Sequence, residues 1–231
     1  MVQLRPHLAQ SMILRFLCLL LLSFSSLAED TNAFLNSWLA AQSTLKTWTA
    51  DFTQTRTLKT LKQPLRSQGH LVFAAPNNFR WQLGDPAQTI AMRDADEMTV
   101  IYPKLKRAER YPLGGAGNEP WRDALALMDA GFPTSSSELN KQFKILSLEV
   151  TNGIAQIAME PRSGMAKKFM SQVQLSIRTN DFSMTANQLQ FSDGSILRND
   201  FTNAVKNPDL PNTAFKTNLP SDFTVVEPLK K

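Results

Sequence analysis

The side chains that could carry out chemistry are few in this chain of 231 residues, which contains one cysteine and two histidines. Cys18 and His7 lie among the first 28 residues, and only His70 lies in the body of the chain. A usual zinc site requires several Cys and His ligands grouped together. One histidine cannot supply such a site, so we predict no metal ion and no cofactor.

Two short patterns resemble reactive motifs but lack the residues that would complete them. Ser43-Thr44-Leu45-Lys46 has the S-x-x-K spacing of a serine acyl-enzyme motif, yet the sequence contains neither S-D-N nor K-T-G. Asp94, Asp96 and Glu97 supply fewer oxygen ligands than a calcium loop needs, so we interpret them as a solvated turn. With no recognisable catalytic residue, the sequence predicts a protein that is not an enzyme.

A run of basic residues indicates a different kind of interaction. Lys104, Lys106 and Arg110 alternate along one face of a strand-like segment, with Arg107 and Glu109 on the other. Such a stripe could meet anionic lipid headgroups or an acidic partner. A solvated strand face is the simpler interpretation.

The amino terminus has the three parts of a secretory signal peptide. Arg5 and Arg15 provide positive charge, residues 16–24 form a short apolar run, and Ser26-Leu27-Ala28 places small residues at a cleavage site. Because the apolar run is much shorter than the roughly 20 residues of a membrane span, we expect cleavage rather than anchoring. Residues 1–28 are the predicted signal peptide, and residues 29–231 are predicted to form one exported domain.

Cleavage would change the charge balance, which bears on the class of partner. The full chain has 25 Lys and Arg against 20 Asp and Glu, a net charge of +5. Loss of 28 residues with two arginines leaves 231 − 28 = 203 residues and 23 − 20 = +3. So small a positive charge on an exported protein does not favour nucleic acid as a partner.

Hydrophobic periodicity predicts one helix followed by a sheet. Residues 30–47 carry apolar side chains at helical spacing, after which apolar and polar residues alternate. Turn signals such as Asn152-Gly153 and Asp193-Gly194 separate the strand-like segments. A second helix is predicted over residues 119–130. The predicted strands cover residues 48–60, 65–74, 78–83, 88–93, 97–102, 105–112, 143–150, 154–160, 169–178, 184–191, 196–205 and 223–226.

These elements predict a mainly β, single-domain fold in which short turns connect antiparallel strands. Ten or more strands in about 200 residues fit a large curved sheet or a barrel. Such a sheet, covered by a helical insertion, can enclose either an apolar cavity or an ordinary core. Composition leaves both possibilities open.

Several motifs occur in the order and at the spacing of a known family. The motifs are Phe52-Thr53-Gln54, Gly69-His70-Leu71-Val72-Phe73, Pro76-Asn77-Asn78-Phe79-Arg80-Trp81, Asp85-Pro86, Ile90, Val100-Ile101-Tyr102-Pro103, Gly117-Asn118-Glu119-Pro120, Phe215-Lys216-Thr217-Asn218-Leu219-Pro220 and Val225-Val226. With these residues nearly the whole mature chain resembles the LolA-like family, the periplasmic carriers of outer-membrane lipoproteins.

The resemblance implies a strongly curved antiparallel half-barrel, an unclosed barrel with an amino-terminal helix and a helical lid over its concave face. It also implies a monomeric periplasmic protein that shields the acyl chains of lipoproteins or of a related lipid. Acyl chains in water cost about 0.8 kcal/mol per CH₂, so a shuttle must cover them. Family members receive cargo from an inner-membrane transporter and deliver it to an outer-membrane acceptor.

A cavity of this kind needs apolar side chains from the strands and from the lid. The alternation of a strand does not by itself say which face points inward. The predicted lining residues are Leu71, Phe73, Phe79, Trp81, Ile90, Met92, Met98, Val100 and Tyr102 from the strands, and Trp121, Leu125, Met128 and Phe132 from the lid.

One departure from the family pattern bears on the cargo. The family's lipoprotein carriers have a lid-contacting arginine just before the proline of P-x-x-F, where this chain has Ala75. Arg80 or Arg93 could replace its contact. A specialised member that carries another amphiphile is therefore as compatible with the pattern as a lipoprotein carrier. The alternative function is a lipid-sensing or protein-interaction module built on the same half-barrel.

Overall fold

The computed structural model of the protein describes residues 23–94, 97–112, 131–133, 135–216 and 218–228, with side chains from residue 32 onward. The chain divides into two compact units, residues 1–38 and residues 39–231. The predicted lid helix over residues 119–130 lies outside the described residues. The sheet lies wholly within the second unit.

The first helix begins and ends earlier than the periodicity predicts. This helix, α1, covers Ser23–Ser43, and its last five residues belong to the second unit. At its carboxyl end the hydroxyls of Ser43 and Thr44 donate to the carbonyl oxygens of Ala40 and Ala41 at 2.8 and 2.9 Å. These bonds satisfy terminal carbonyl groups of the helix, and the first strand begins four residues later.

Twelve strands form one sheet, as the fold class predicts. They are β1 (Thr47–Thr57), β2 (Leu65–Ala74), β3 (Asn78–Leu83), β4 (Thr89–Arg93), β5 (Glu97–Tyr102), β6 (Arg107–Pro112), β7 (Phe143–Thr151), β8 (Ile154–Pro161), β9 (Met170–Arg178), β10 (Met184–Phe191), β11 (Ile196–Lys206) and β12 (Thr224–Val226).

The strand order is β12-β6-β5-β4-β3-β2-β1-β11-β10-β9-β8-β7. Neighbours pair antiparallel throughout, except that β12 pairs parallel with β6. The end strands β12 and β7 do not pair with each other in the described part of the chain, so the sheet is open. The mainly β, unclosed architecture is therefore confirmed.

Residues that adopt positive φ angles form the turns of several hairpins. Asn152 and Gly153, between β7 and β8, have φ angles of 51° and 75°. Two successive positive φ values are those of a type I′ turn, whose twist matches that of the flanking strands. Gly194, between β10 and β11, also has a positive φ of 79°.

Three local elements differ from the predicted ones. The stretch around residue 136, for which no helix or strand is predicted, contains the helix α2 (Ser136–Gln142), and Ser135 accepts a capping hydrogen bond from the backbone of Glu138. The helix α3 (Gly164–Phe169) was also not predicted. The strand predicted from residue 105 begins at 107, because Pro103–Leu105 form a 3-10 turn that ends in left-handed Lys106. The basic residues before 107 therefore do not alternate along a strand.

One face of the sheet carries the main core. On β8 and β9 every second side chain points inward and is almost fully buried: Ile157, Met159, Val173, Leu175 and Ile177. Burying each such side chain contributes roughly 1.5–3 kcal/mol.

The opposite face of β4, β5 and β6 carries a second, smaller cluster. Met92, Ile101 and Ala108 are buried there. Leu219 and Phe223, from the segment that precedes β12, pack against them. The carboxyl-terminal segment therefore covers the outer face of this half of the sheet. Among the described residues, no helix combines the length and hydrophobicity of a membrane span.

Candidate functional site

An apolar cavity of about 230 Å³ lies against the inward face of six adjacent strands, β4, β3, β2, β1, β11 and β10. In a flat sheet, β4 and β10 would be five strand spacings apart, or roughly 24 Å. Residues of both strands line this one small cavity, so the sheet must bend strongly around it. The lining residues are Gln54, Leu71, Phe73, Phe79, Trp81, Ala91, Phe132, Asn187, Leu189, Leu197 and Asn199.

The register of the strands explains why these side chains meet. Phe73 lies directly opposite Phe79, and Trp81 lies between Leu71 and Ala91 on the two flanking strands. Directly opposed residues of antiparallel strands point to the same face. Ala91 is the smallest of the group, so its position leaves room for the cavity.

Aromatic rings form much of the wall. The rings of Phe73 and Phe132 are stacked, with centroids 4.2 Å apart and planes 9° apart. Phe132 also meets the edge of Trp48 at 5.4 Å. The rings of Phe52 on β1 and Trp81 on β3 meet across β2, with centroids 4.1 Å apart. Offset and edge contacts of this kind stabilise beyond simple burial of area.

Gly69 permits this close approach of rings across the sheet. It lies opposite Phe52 in the β1–β2 pair. A Cβ atom at this position would overlap the Phe52 ring and the carbonyl oxygen of Gln82. The missing side chain at Gly69 therefore makes the space that the Phe52 ring occupies beside Trp81.

Three carboxamide side chains cross the otherwise apolar wall, and we call them the amide row: Gln54, Asn199 and Asn187. Gln54 Nε2 donates to Asn199 Oδ1 at 3.0 Å, and Asn199 Nδ2 donates to Asn187 Oδ1 at 2.7 Å. Asn199 is only 2% exposed. The sequence analysis missed all three, because it searched for apolar lining residues. The signal that could have identified them is their position on the same face of the sheet as Phe52 and Phe201.

The structure brings together five of the predicted lining residues and separates others. Leu71, Phe73, Phe79, Trp81 and Phe132 line the cavity. Met98, Val100 and Tyr102, on β5, share the inward face according to their register but are not among its lining residues. Trp121, Leu125 and Met128 lie outside the described residues.

Ile90 and Met92 lie on the opposite face from the cavity. They pair with Gln82 and Arg80, which point away from it, and Met92 belongs to the cluster beneath the carboxyl-terminal segment. The prediction that they share the cavity face is corrected by this register. Successive residues of a strand point to opposite faces, so Ala91 on the inward face places both neighbours outside.

The two arginines considered as replacements for the family's lid contact also lie on opposite faces. Arg93 pairs with Phe79 and shares its inward face. Arg80 points outward and donates from Nη1 to the sulfur of Met92 at 3.2 Å. Only Arg93 is therefore on the side of the sheet that holds the cavity.

Beyond Val100, the inward face becomes polar on β6. Tyr111 Oη donates to Glu109 Oε2 at 2.7 Å, and Arg107 Nη2 lies 2.7 Å from Glu109 Oε1. Burial, followed by the hydrogen bond to Glu109, raises the pKa of Tyr111 to about 12. Burial also raises the pKa of Tyr102, with the charge of Glu109 adding to the effect.

A larger groove of about 460 Å³ lies on the outer face of β11, β1, β2 and β3, and polar side chains dominate its wall. His70 Nδ1 lies 2.8 Å from Asp51 Oδ1, and Asn203 Nδ2 donates to Asp51 Oδ2 at 2.9 Å. The hydrogen bonds from Asn203 and then His70 hold the pKa of Asp51 below its usual value. The smaller cavity is the candidate site, because its wall, unlike that of the groove, offers apolar surface that a ligand can cover.

The cavity has the chemistry of a binding site. None of the described residues that line it carries a titratable group, so they can neither transfer a proton nor attack a substrate. Nor does the described part of the chain group three His, Cys, Asp or Glu side chains that could hold a metal ion. The lining residues can cover an apolar chain and form hydrogen bonds with a neutral polar group attached to it.

Comparisons with known proteins give a consistent picture. Residues 43–218 match the family model described as outer membrane lipoprotein carrier protein LolA. A relative from Dechloromonas aromatica, named outer-membrane lipoprotein carrier protein, is 25% identical over 83% of this chain and 85% of its own. A relative of the same name from Bordetella avium is 25% identical over 87% and 90%. A crystal structure of an uncharacterized conserved protein from Thermus thermophilus has the same fold, with a TM-score of 0.51 at 10% identity over 86% and 99%.

Proposed function

The chain belongs to the LolA family of outer membrane lipoprotein carrier proteins, and we propose that it carries the acyl chains of a lipoprotein or a related lipid in the apolar cavity. The observation that carries this proposal is a cavity walled by apolar and aromatic side chains on the inward face of a bent sheet. The protein acts as a carrier and not as an enzyme.

Burial of the chains supplies the binding energy. Each CH₂ removed from water contributes about 0.8 kcal/mol, so about ten buried methylenes supply the roughly 8 kcal/mol of a micromolar Kd. A carrier must also release its cargo, which favours an adaptable apolar wall over a tight fit. The rings of Phe73, Phe132 and Trp81 supply such a wall.

The proposed route runs through the periplasm. Cleavage of residues 1–28 releases a monomeric domain formed by residues 29–231. An inner-membrane transporter loads the domain, and an outer-membrane acceptor receives the cargo. Trp121, Leu125 and Met128 complete the cavity as lid residues in this proposal.

Arg93 is the residue that we propose for the lid contact, which the family makes through an arginine at the position of Ala75. The support is its place on the inward face beside Phe79. Arg80 is excluded from this role by its outward direction and its bond to Met92.

Native mass spectrometry of protein isolated from the periplasm tests the proposal. We expect wild-type protein to retain a lipid, and the mass of that lipid separates lipoprotein cargo from another amphiphile. Leu189→Glu places a charge in the cavity wall and should abolish retention. Protein that holds no lipid and takes up no acylated peptide would contradict the proposal.

Val205→Glu is the matched control. Val205 lies on β11, is 51% exposed, and pairs with outward-facing Thr49. The same charge introduced there should leave lipid retention at the wild-type level. Circular dichroism compares the fold of both variants with that of the wild-type protein, so that a loss of lipid can be distinguished from unfolding.

A further inference from the structure

We propose that the amide row is a hydrogen-bonding subsite for the carbonyl group that joins an acyl chain to its head group, in an ester or an amide linkage. This inference rests on the proposed function and assigns a chemical class to part of its ligand. It concerns Gln54, Asn199 and Asn187.

The row is a chain of bonds that runs in one direction. Asn199 accepts from Gln54 at 3.0 Å and donates to Asn187 at 2.7 Å, so its carboxamide is held at both ends. The Nδ2 group of Asn187 and the Oε1 atom of Gln54 are the two ends of the chain. Neither end atom has a hydrogen-bond partner among the described residues, and both side chains line the cavity.

The position of the row in the cavity wall supports a role in binding a ligand, beyond a role in aligning the three strands that carry it. On one side of it the inward neighbours are Phe52 and Phe201, and on the other they are Leu197, Leu189 and the exposed Arg56, which does not line the cavity. The row is thus a polar band across an apolar wall. The two end atoms are not among the fully buried atoms that lack a partner, so both can be reached from the cavity. An apolar ligand that covered them without pairing would leave amide groups unsatisfied, which is unfavourable, and a ligand with a carbonyl group avoids that cost.

The type of side chain restricts the type of ligand. Carboxamides are neutral, and the described lining residues include no charged side chain. The free N–H of Asn187 fits a neutral acceptor, such as the carbonyl oxygen of an ester or amide. The Oε1 atom of Gln54 can accept from an amide N–H or from a hydroxyl of the same head group.

Three ligands with one skeleton test the subsite. They are 1-decanoylglycerol, its ether analogue 1-O-decylglycerol, and the amide analogue N-decanoyl-3-aminopropane-1,2-diol. The ether lacks only the carbonyl group. By isothermal titration calorimetry, wild-type protein should bind the ester or the amide about three- to tenfold more tightly than the ether, as expected for one added hydrogen bond.

Two variants should remove this preference. Asn187→Leu deletes the donating end but leaves Asn199 without an acceptor. The triple variant Gln54→Met/Asn187→Leu/Asn199→Leu replaces the whole row by apolar groups, which avoids buried unpaired atoms. Gln188→Leu, on the outward face of β10, is the matched control and should keep the wild-type preference.

The outcomes separate this inference from the proposed function. Equal binding of all three ligands by wild-type protein, or a preference that survives in the triple variant, would overturn the subsite and leave the carrier function standing. Failure of all three to bind would overturn both. A preference for the amide over the ester, or the reverse, supports the subsite and identifies the linkage.

Discussion

The ring of Phe73 on β2 stacks on the ring of Phe132, with centroids 4.2 Å apart. Phe132 comes from the segment between β6 and β7, far from β2 in the sequence. It also contacts Trp48 on β1. One side chain thus ties that connecting segment to two strands at the wall of the cavity.

Phe132→Ala should lower the free energy of unfolding by about 2 kcal/mol, because it removes two aromatic contacts and leaves a space. Urea unfolding measures the change. Phe169→Ala is the matched control, since Phe169 is 54% exposed, and it should change the free energy by less than about 0.5 kcal/mol. Similar values for both variants would contradict the packing role of Phe132.

Gly69→Ala should destabilise the protein by about 2–3 kcal/mol, because the added Cβ would overlap the Phe52 ring and the Gln82 carbonyl. Gly164→Ala is the control, because an added Cβ there meets no atom within 4 Å. It should be neutral within about 0.5 kcal/mol. The prediction fails if thermal unfolding of the two variants is the same.

The tyrosine hydroxyls should ionise at a higher pH than that of an ordinary tyrosine. The chain has two, Tyr102 and Tyr111, and burial raises the pKa of both, that of Tyr111 to about 12. Since these values exceed the ordinary 10.0, the contribution to stability is complete below pH 10 and is lost as the pH rises toward 12.

Absorbance of tyrosinate at 295 nm, between about pH 10 and 11, checks this prediction against protein unfolded in urea. The folded protein should show much less absorbance than the unfolded protein at the same pH. In Tyr111→Phe the remaining pH-dependent increase in absorbance reports Tyr102 alone, because the absorbance of the four tryptophans does not change with pH. A midpoint near 10 for the folded wild-type protein would contradict the burial of both rings.

Acid should lower the free energy of unfolding by protonating the carboxylate of Asp51. Hydrogen bonds from Asn203 and His70 lower its pKa from the ordinary 3.8, so its contribution to stability is present above that pH and is lost as the pH falls through the folded value. Asn203→Gly removes the hydrogen bond that lowers the pKa of Asp51 most. Glycine accepts the positive φ of 52° at this position.

Urea unfolding between about pH 3 and pH 6 checks the direction. The free energy of unfolding should fall less steeply with acidification in Asn203→Gly than in the wild-type protein. An unchanged slope would show that the bond from Asn203 does not favour the charged carboxylate of Asp51.

Local signals in the sequence predicted much of the fold. The Asn152-Gly153 turn and the alternation from Trp48 onward require only neighbouring residues, and the structure has both. The helix α2 was missed although Ser135 and Glu138 have the spacing of a capping box. That signal was present in the sequence and was overlooked.

Contacts between distant residues could not be predicted in the same way. Ile90 and Met92 alternate as predicted but face outward, where Ile90, Leu219 and Phe223 pack against the cluster of Met92, Ile101 and Ala108. Nothing within β4 indicates which face a segment more than a hundred residues away will cover. The amide row was missed for a related reason, since Gln54, Asn187 and Asn199 come together only through the pairing of β1, β10 and β11.

The most direct test of the central claim locates the acyl chain on the protein. A lipopeptide with a diazirine in its acyl chain is bound, irradiated, and the cross-linked residues are mapped by mass spectrometry. A chain held in the cavity should give saturable labelling of inward-facing residues such as Trp81 and Leu189. Labelling confined to the outer cluster of Met92 and Ile101, or labelling that does not saturate, would contradict it.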